Sequence, residues 1–162
     1  MEDIIIMLSS KLSSAELLKY ADEHILYEID MLNATTIFNP SSIQVLINMR
    51  VESFGIHLRN LIDFFYNNIP QPDDMVAAHF FSDETIKAMP LPIISESLKK
   101  AKVRVNKELS HLTTERIYGY SSEKEWDFFG LTRDINALLK IFAFQAQADT
   151  LGVGIKNRIA SL

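Results

Sequence analysis

Arg104 and His111 are the two residues whose types and spacing suggest chemistry in this sequence. They stand seven positions apart in the segment from Ser95 to Arg116, whose pattern predicts a helix. The two side chains therefore fall on one face, two turns or ~10.5 Å apart along the axis. A phosphodiester fits between them. Five basic residues crowd the same region of a chain whose net charge is -5: Lys99, Lys100, Lys102, Arg104 and Lys107.

A guanidinium and an imidazole are sufficient, in principle, for cleavage of RNA without a metal ion. The RNA supplies its own 2′-hydroxyl nucleophile, the cation neutralises the scissile phosphate, and the imidazole moves a proton. The alternative is that Arg104 is a solvated cation on the helix surface and His111 a half-buried residue near a helix end. Spacing alone favours this alternative, because two such residues seven apart are common by chance.

The composition limits the class of protein. A chain of 162 residues is most economically a single domain, 1–162, with an ordinary buried core. It has no cysteine, which excludes disulfides and thiolate metal ligands and fits a cytoplasmic location. Glu2 and Asp3 precede a short apolar run, so the start of the chain predicts neither a signal peptide nor a membrane span. The acidic balance disfavours wholesale binding of nucleic acid but is compatible with a local basic face.

Apolar residues recur at helical spacing in four long segments. Ser13 with Glu16 and Ser122 with Glu125 have the capping-box pattern that begins a helix. The predicted inward-facing residues are Leu18, Ala21, Ile25, Ile29 and Leu32; Ile43, Ile47, Val51, Phe54, Leu58, Leu61 and Phe65; Leu98, Ala101, Val105, Leu109 and Leu112; and Phe128, Leu131, Ile135, Leu138 and Phe142. The first segment has another stripe beside the first, so we expect it to be buried on a broad face; this stripe is Leu17, Tyr20, His24, Tyr27 and Met31. A mixed line beside the second stripe carries Arg50, Ser53, His57 and Asn60, which need polar partners when buried.

No alternating run of β-branched residues predicts a strand. The fold is therefore predicted to be all-α. We expect an up-and-down bundle of four long helices, with short extra helices between the second and third, where prolines interrupt the chain.

The string Arg104-Val-Asn-Lys-Glu-Leu-Ser-His111 resembles the R-x4-6-H motif of the HEPN superfamily of small all-α proteins. The resemblance implies a homodimer that binds RNA or nucleotide and cleaves RNA without metal, in a bacterial defence or toxin–antitoxin system. It implies that Arg104 holds phosphate and that His111 transfers a proton or stabilises the transition state. One departure is Val105, because the family usually has a polar residue directly after the arginine.

Further contacts to substrate are expected from Asn106, Lys107 and Arg116, which lie close to the motif in the sequence. His57 and Arg59, on the second long helix, can line the same groove. The alternative for these two residues is a polar network that fixes one helix against its neighbours, and we favour it. The strings Glu52-Ser-Phe-Gly-Ile-His57-Leu-Arg59-Asn60-Leu-Ile-Asp63-Phe64-Phe65 and His111-Leu-Thr-Thr-Glu-Arg116 are similar to helical bacterial proteins that have no assigned activity.

A metal centre is disfavoured by counting ligands. Glu108-Leu-Ser-His111 has the Glu-x-x-His spacing of diiron bundles, but such a site needs the motif twice. Neither His24, His57 nor His79 has an acidic residue three positions before it. His24 and Glu28 are expected only to pair on a helix surface. We predict no metal and no cofactor.

The rival interpretation is a non-catalytic module that binds a protein partner or a second copy of the chain through helix faces. Val105, the acidic balance and the aromatic content of the last long helix favour it. The aromatic residues exceed what one side of a helix needs, and they are Trp126, Phe128, Phe129, Phe142 and Phe144.

Overall fold

The structure is a computed structural model that describes residues 12–88, 91–110, 114 and 125–162. These residues form helices and no strand, so the all-α prediction is confirmed. In chain order the helical elements are α1 (Ser14–Tyr20), a first π-turn (Ala21–Ile25), α2 (Leu26–Ile37), α3 (Gln44–Tyr66), a 3-10 turn (Ala77–Phe80), α4 (Asp83–Ala88), α5 (Glu96–Arg104), a second π-turn (Val105–Ser110), α6 (Phe128–Gln145) and α7 (Val153–Ala160). No helix of the described ranges is long and apolar enough to cross a membrane.

The chain divides into two compact units. The first consists of the described parts of Met1–Tyr27, Asp63–Pro92 and Asn136–Leu162, and the second of those of Glu28–Ile62 and Ile93–Ile135. Three of the four boundaries fall inside helices, namely α2, α3 and α6. The prediction of a single domain stays a prediction.

Aromatic rings form the centre of the first unit. Phe142 of α6 lies 5.3 Å from Phe64 and 5.4 Å from Phe80 between ring centroids, in edge-to-face geometry that aromatic pairs favour. Phe80 and Phe142 are fully buried. A backbone hydrogen bond of 2.9 Å from Gln147 to the Phe80 carbonyl joins the end of α6 to the 3-10 turn. The 3-10 turn therefore packs into the core of the first unit, although prolines flank it in the sequence.

The first π-turn changes which residue of α1 is buried. Glu16 and Ser13 form the predicted capping box at the start of α1. Leu17 is 4% exposed, whereas Leu18, which we predicted to face the core, is 36% exposed. A π-turn is wider than an α-turn, so buried residues follow at steps of four through this region. The inward prediction for Leu18 is wrong for that reason.

Arg50, a polar residue of α3 that we expected to need polar partners, has them in the second unit. Arg50 donates to the backbone carbonyls of Thr35 and Thr36, at 2.8 and 2.6 Å, and so satisfies the last turn of α2. Its guanidinium also lies 3.9 Å from the centroid of Phe128. The Thr36 hydroxyl in turn bonds the Thr132 hydroxyl of α6 at 2.6 Å.

Helix α6 begins later than the Ser122 capping pattern predicted. Asp127 accepts a hydrogen bond of 2.8 Å from the backbone N–H of Gly130, and the helix begins at Phe128. Ser122 lies outside the described residues. A Cβ on Gly130 would meet the Asp127 carboxylate, which would then have to shift. The later residues of the stripe are buried as predicted: Leu131, Ile135, Leu138 and Phe142.

Candidate functional site

Helix α5 and the second π-turn carry Arg104 and the residues around it. Ser95 caps α5 by accepting a hydrogen bond of 3.3 Å from the N–H of Leu98. Leu98, Ala101 and Val105 are buried at steps of three and four, as predicted. Arg104 is the last residue of α5, so the predicted face between Arg104 and His111 runs through a π-turn. The wider turn changes the angular offset that an unbroken α-helix would give.

Gly55 of α3 allows the second π-turn to pack closely. A Cβ at this position would clash with Cδ1 of Leu109 and would lie 3.4 Å from Cγ2 of Val105. Any larger residue therefore has to displace Leu109. The glycine fixes how closely the backbone of α3 approaches the segment that follows Arg104.

Arg104 is held on three sides. Its Nε donates to Oε2 of Glu108 at 2.9 Å, and its Nη1 donates to the backbone carbonyl of Glu125 at 3.1 Å. The guanidinium carbon lies 4.2 Å from the ring centroid of Trp126. Trp126 in turn packs edge-on against Phe54, with ring centroids 6.3 Å apart. The Arg104 side chain is only 14% exposed, so it is not the solvated cation of the first alternative.

Sequence reasoning missed the residues that hold Arg104. Glu108 lies four positions after it, the ordinary spacing of a helical ion pair, and this signal was available. Trp126 was noted only as part of an aromatic surplus, because nothing local links it to α5. His111 and Arg116 lie outside the described residues, so the predicted pairing of Arg104 with His111 stays a prediction.

Asn106 and Lys107 differ in their surroundings. Lys107 is exposed. Asn106 is half-buried, and its Oδ1 atom is buried without a hydrogen-bond partner among the described residues. A buried amide oxygen normally accepts a hydrogen bond. Among the described residues nothing donates to Oδ1 of Asn106, so this atom can accept a hydrogen bond from a substrate.

The exposed lysines give α5 and the second π-turn a positive surface. Lys99, Lys100 and Lys107 are exposed, and Lys102 is half-buried. Lys99 pairs with Glu96 at 2.6 Å, and this partner lowers the pKa of the Glu96 carboxyl. Five basic and two acidic side chains lie between Glu96 and Ser110, in a chain that is acidic overall.

Comparison with family models, characterised proteins and solved structures finds no match for this chain. The site is therefore interpreted from its own residues.

His57 belongs to a polar network between α2 and α3. Its Nδ1 lies 2.7 Å from Oε2 of Glu28, and Asn60 donates to Oε1 of the same carboxylate at 3.2 Å. The side chains of His57 and Glu28 are 8% and 22% exposed. This geometry supports the network interpretation that we favoured. Arg59 is half-buried one turn beyond Gly55 on α3.

Glu28 does not form the surface pair that we expected with His24. Its carboxylate instead bonds His57 and Asn60 of α3. His24 lies 4.0 Å from Glu23, and its ring is 4.8 Å from that of Tyr20. In the described part of the chain, no three His, Asp or Glu side chains are placed to hold a metal ion.

Proposed function

We propose that this chain is a helical protein that binds RNA or nucleotide and cleaves RNA without a metal ion. The observation that carries the proposal is the positive surface of α5 and the second π-turn, with Arg104 at their junction, in a chain of net charge -5. Basic side chains concentrated on one surface attract a phosphate backbone even when the whole protein is acidic. We also propose that the chain folds as a bundle of four long helices, forms a homodimer and is located in the cytoplasm.

Arg104 is the phosphate ligand in this proposal. Trp126 stacks on its guanidinium, and the carbonyl of Glu125 accepts from Nη1, so the plane of the group is set before substrate arrives. Glu108 balances its charge in the absence of substrate. A phosphate that replaces this carboxylate exchanges one charge-assisted hydrogen bond for another, and preorganised donors of this kind stabilise developing charge.

His111 supplies the proton transfer. It accepts the proton of the 2′-hydroxyl as that oxygen attacks the adjacent phosphorus. The bond to the 5′-oxygen breaks, that oxygen takes a proton from water and leaves as a 5′-hydroxyl, and a 2′,3′-cyclic phosphate remains. Arg104 neutralises the charge on the non-bridging oxygens during this step. Asn106, Lys107 and Arg116 hold the neighbouring nucleotides. His57 and Arg59 contribute to binding only if α3 lines the same groove.

The first test is cleavage of single-stranded RNA in EDTA by the wild type and by His111→Ala. We expect cleavage by the wild type and a loss of at least about a hundredfold in the variant, the usual scale of general acid–base catalysis. Equal activity of the two proteins, or activity in neither, removes the catalytic claim. Far-UV circular dichroism of the variant checks that it is folded.

Binding needs a separate test, because RNA can bind without being cleaved. Replacing Lys99, Lys100 and Lys107 with Gln removes three exposed charges from the proposed surface. The matched control replaces three other exposed lysines, Lys19, Lys87 and Lys140, and so has the same net charge. We expect only the first triple variant to weaken binding and to reduce the salt slope, log Kobs against log salt, by about 2. Equal loss in both variants rejects a localised site.

A second candidate is a non-catalytic module that binds a protein helix or a second copy of the chain. The observation that favours it is the exposure of large apolar side chains on α3, where Val45, Met49 and Ile56 recur at helical spacing and are 65%, 57% and 52% exposed. On α6, Phe129 and Phe144 are 68% and 80% exposed. Sedimentation of the wild type and of Met49→Lys tests whether this face self-associates. If it does, the wild type forms a dimer whose fraction rises with concentration, and Met49→Lys weakens that dimer.

A further inference from the structure

The connection between α2 and α3 is free of charge over a long stretch of sequence. Residues 31–49 complete α2, form the turn and begin α3, and none of them is Asp, Glu, Lys, Arg or His. Charged residues make up 23% of the whole chain, so about four are expected in a segment of this length. We call this segment the uncharged corner, and it lies within the second unit.

The uncharged corner exposes large apolar side chains to solvent. Ile37, at the end of α2, is 75% exposed. Phe129 of α6 adjoins the same end of α2, because it lies one turn before Thr132, whose hydroxyl bonds the Thr36 hydroxyl. The apolar residues of this surface, which are 48–75% exposed, are Ile37, Phe38, Ile43, Val45, Met49 and Phe129.

The exposed apolar area matches the size of a protein interface. At about 100 Å² each, the six side chains present roughly 600 Å², the upper end of what the largest apolar patch on a monomer reaches. Pairing two such surfaces buries roughly 1,200 Å², which is the lower end of the range for stable interfaces. Exposed polar neighbours, among them Gln44 and Asn48, add to that area. The uncharged corner is therefore large enough to bind a second protein surface.

Arg50 holds the uncharged corner in one shape. Its guanidinium donates to the carbonyls of Thr35 and Thr36, so the end of α2 is tied to the start of α3. Its charge is thereby used by the backbone inside the connection, and the side chain is half-buried. A surface that is already ordered loses little conformational entropy when it binds, which favours association.

We propose that the uncharged corner is the interface of the homodimer, and that it binds the same corner of a second copy across a twofold axis. The proposal rests on the homodimer put forward under the proposed function. A twofold interface brings a patch against itself, so a patch with one sign of charge repels itself and an uncharged patch does not. The polar residues of the corner are Asn, Gln, Ser and Thr, which both donate and accept hydrogen bonds and so are able to pair with their own kind. RNA or an anionic membrane would instead need basic side chains, which the corner lacks.

Protection of a single thiol locates the interface directly. The chain has no cysteine, so Val45→Cys and its control Val153→Cys each carry one thiol, at positions that are 65% and 75% exposed in the wild type. Cysteine is a small apolar residue and is tolerated in an apolar contact. The rate of reaction with N-ethylmaleimide is measured well below and well above the dimer Kd, which sedimentation of the wild type should place at about 1–10 μM. We expect the thiol at position 45 to react at least about fivefold more slowly in the dimer, and the thiol at position 153 to react equally fast at both concentrations.

Added charge provides a second measurement that does not depend on labelling. Ile37→Lys and Val45→Lys each place a like charge on both copies of the corner. The matched controls are Ile69→Lys and Val153→Lys, at side chains of the first unit that are 79% and 75% exposed. We expect each corner variant to raise the dimer Kd at least about tenfold, and each control to leave it within about twofold. Far-UV circular dichroism checks that all four variants are folded.

The outcomes separate failure of the interface from failure of the homodimer. A wild type that stays monomeric at about 1 mM overturns both, and only a different protein could then cover the corner. A dimer in which the thiol at position 45 reacts at the same rate as in the monomer, or in which the corner variants dimerise as well as their controls, overturns the interface and leaves the homodimer. The RNA cleavage and binding proposed for α5 and the second π-turn have tests of their own, which these outcomes do not affect.

Discussion

Arg104 and Glu108 form an ion pair across one turn, at the point where α5 passes into the second π-turn, with Nε and Oε2 2.9 Å apart. Both side chains are mostly buried, at 14% and 22% exposure. The carboxylate therefore occupies one side of the guanidinium that we propose as the phosphate ligand. Ion pairs of this kind can act as a barrier to an incoming anion as well as a support for the cation.

Glu108→Gln is expected to tighten RNA binding, because it removes the carboxylate that competes with phosphate for Arg104. Glu96→Gln is the matched control, since it removes the same charge from the adjoining helix α5 but frees Lys99 instead. We expect Glu108→Gln to lower Kd for single-stranded RNA several-fold beyond the control, at a stability cost of about 1 kcal/mol. Equal effects of the two substitutions on Kd would indicate that only long-range charge matters and that Arg104 makes no direct contact.

Arg50→Lys tests whether the fork of the guanidinium is needed at the end of α2. Arginine donates to the carbonyls of both Thr35 and Thr36, and stacks on Phe128. A lysine keeps the charge but lacks the planar fork. We expect urea unfolding to show a loss of about 1–2 kcal/mol. Arg133→Lys, at a side chain that is 81% exposed, should change stability by less than about 0.5 kcal/mol.

Gly55→Ala and Gly154→Ala should differ although both replace a helical glycine. Nothing lies within 4 Å of a Cβ at Gly154, so the higher helix propensity of alanine should stabilise that variant by about 0.5–1 kcal/mol. At Gly55 the new methyl group meets Leu109, and the gain should be cancelled or reversed. Thermal unfolding measures both. A double-mutant cycle with Leu109→Ala should show coupling at Gly55, and additive effects there would contradict the close approach.

His79 is expected to make stability depend on pH near neutrality. Burial lowers its pKa in the folded chain, so between the folded and unfolded pKa values the unfolded chain binds more protons. Its contribution is therefore present above about pH 6.5 and is lost as the pH falls below that value. His79→Asn keeps an acceptor oxygen near the position of Nδ1 for the N–H of Val76 and does not titrate. The difference in unfolding free energy between wild type and variant should shrink with falling pH, and a constant difference from pH 8 to 5 would contradict this assignment. Asp83 and Glu84 line a cavity together with His79, but both are present in wild type and variant alike.

Local pattern was enough to predict the helical class and much of the core. Ser13 and Glu16 are three residues apart, and their reciprocal bonds depend only on that spacing. The buried run of Phe54, Leu58 and Leu61 follows from the period of an α-helix. The need of His57 for a polar partner was also predictable, because a polar side chain that is buried on a helix requires one.

The sequence by itself determined which residues had to be buried or satisfied, since period and capping act over only a few residues. The tertiary structure decided which partners they met: Glu28 with His57 rather than His24, Trp126 on Arg104, and Asp127 as the start of α6. It also decided the two π-turns and the exposure of Leu18 on α1. These outcomes depend on contacts between segments that are far apart in the sequence. The free energy of such contacts is set by packing and by satisfaction of buried polar groups, and a pattern within one segment does not contain it.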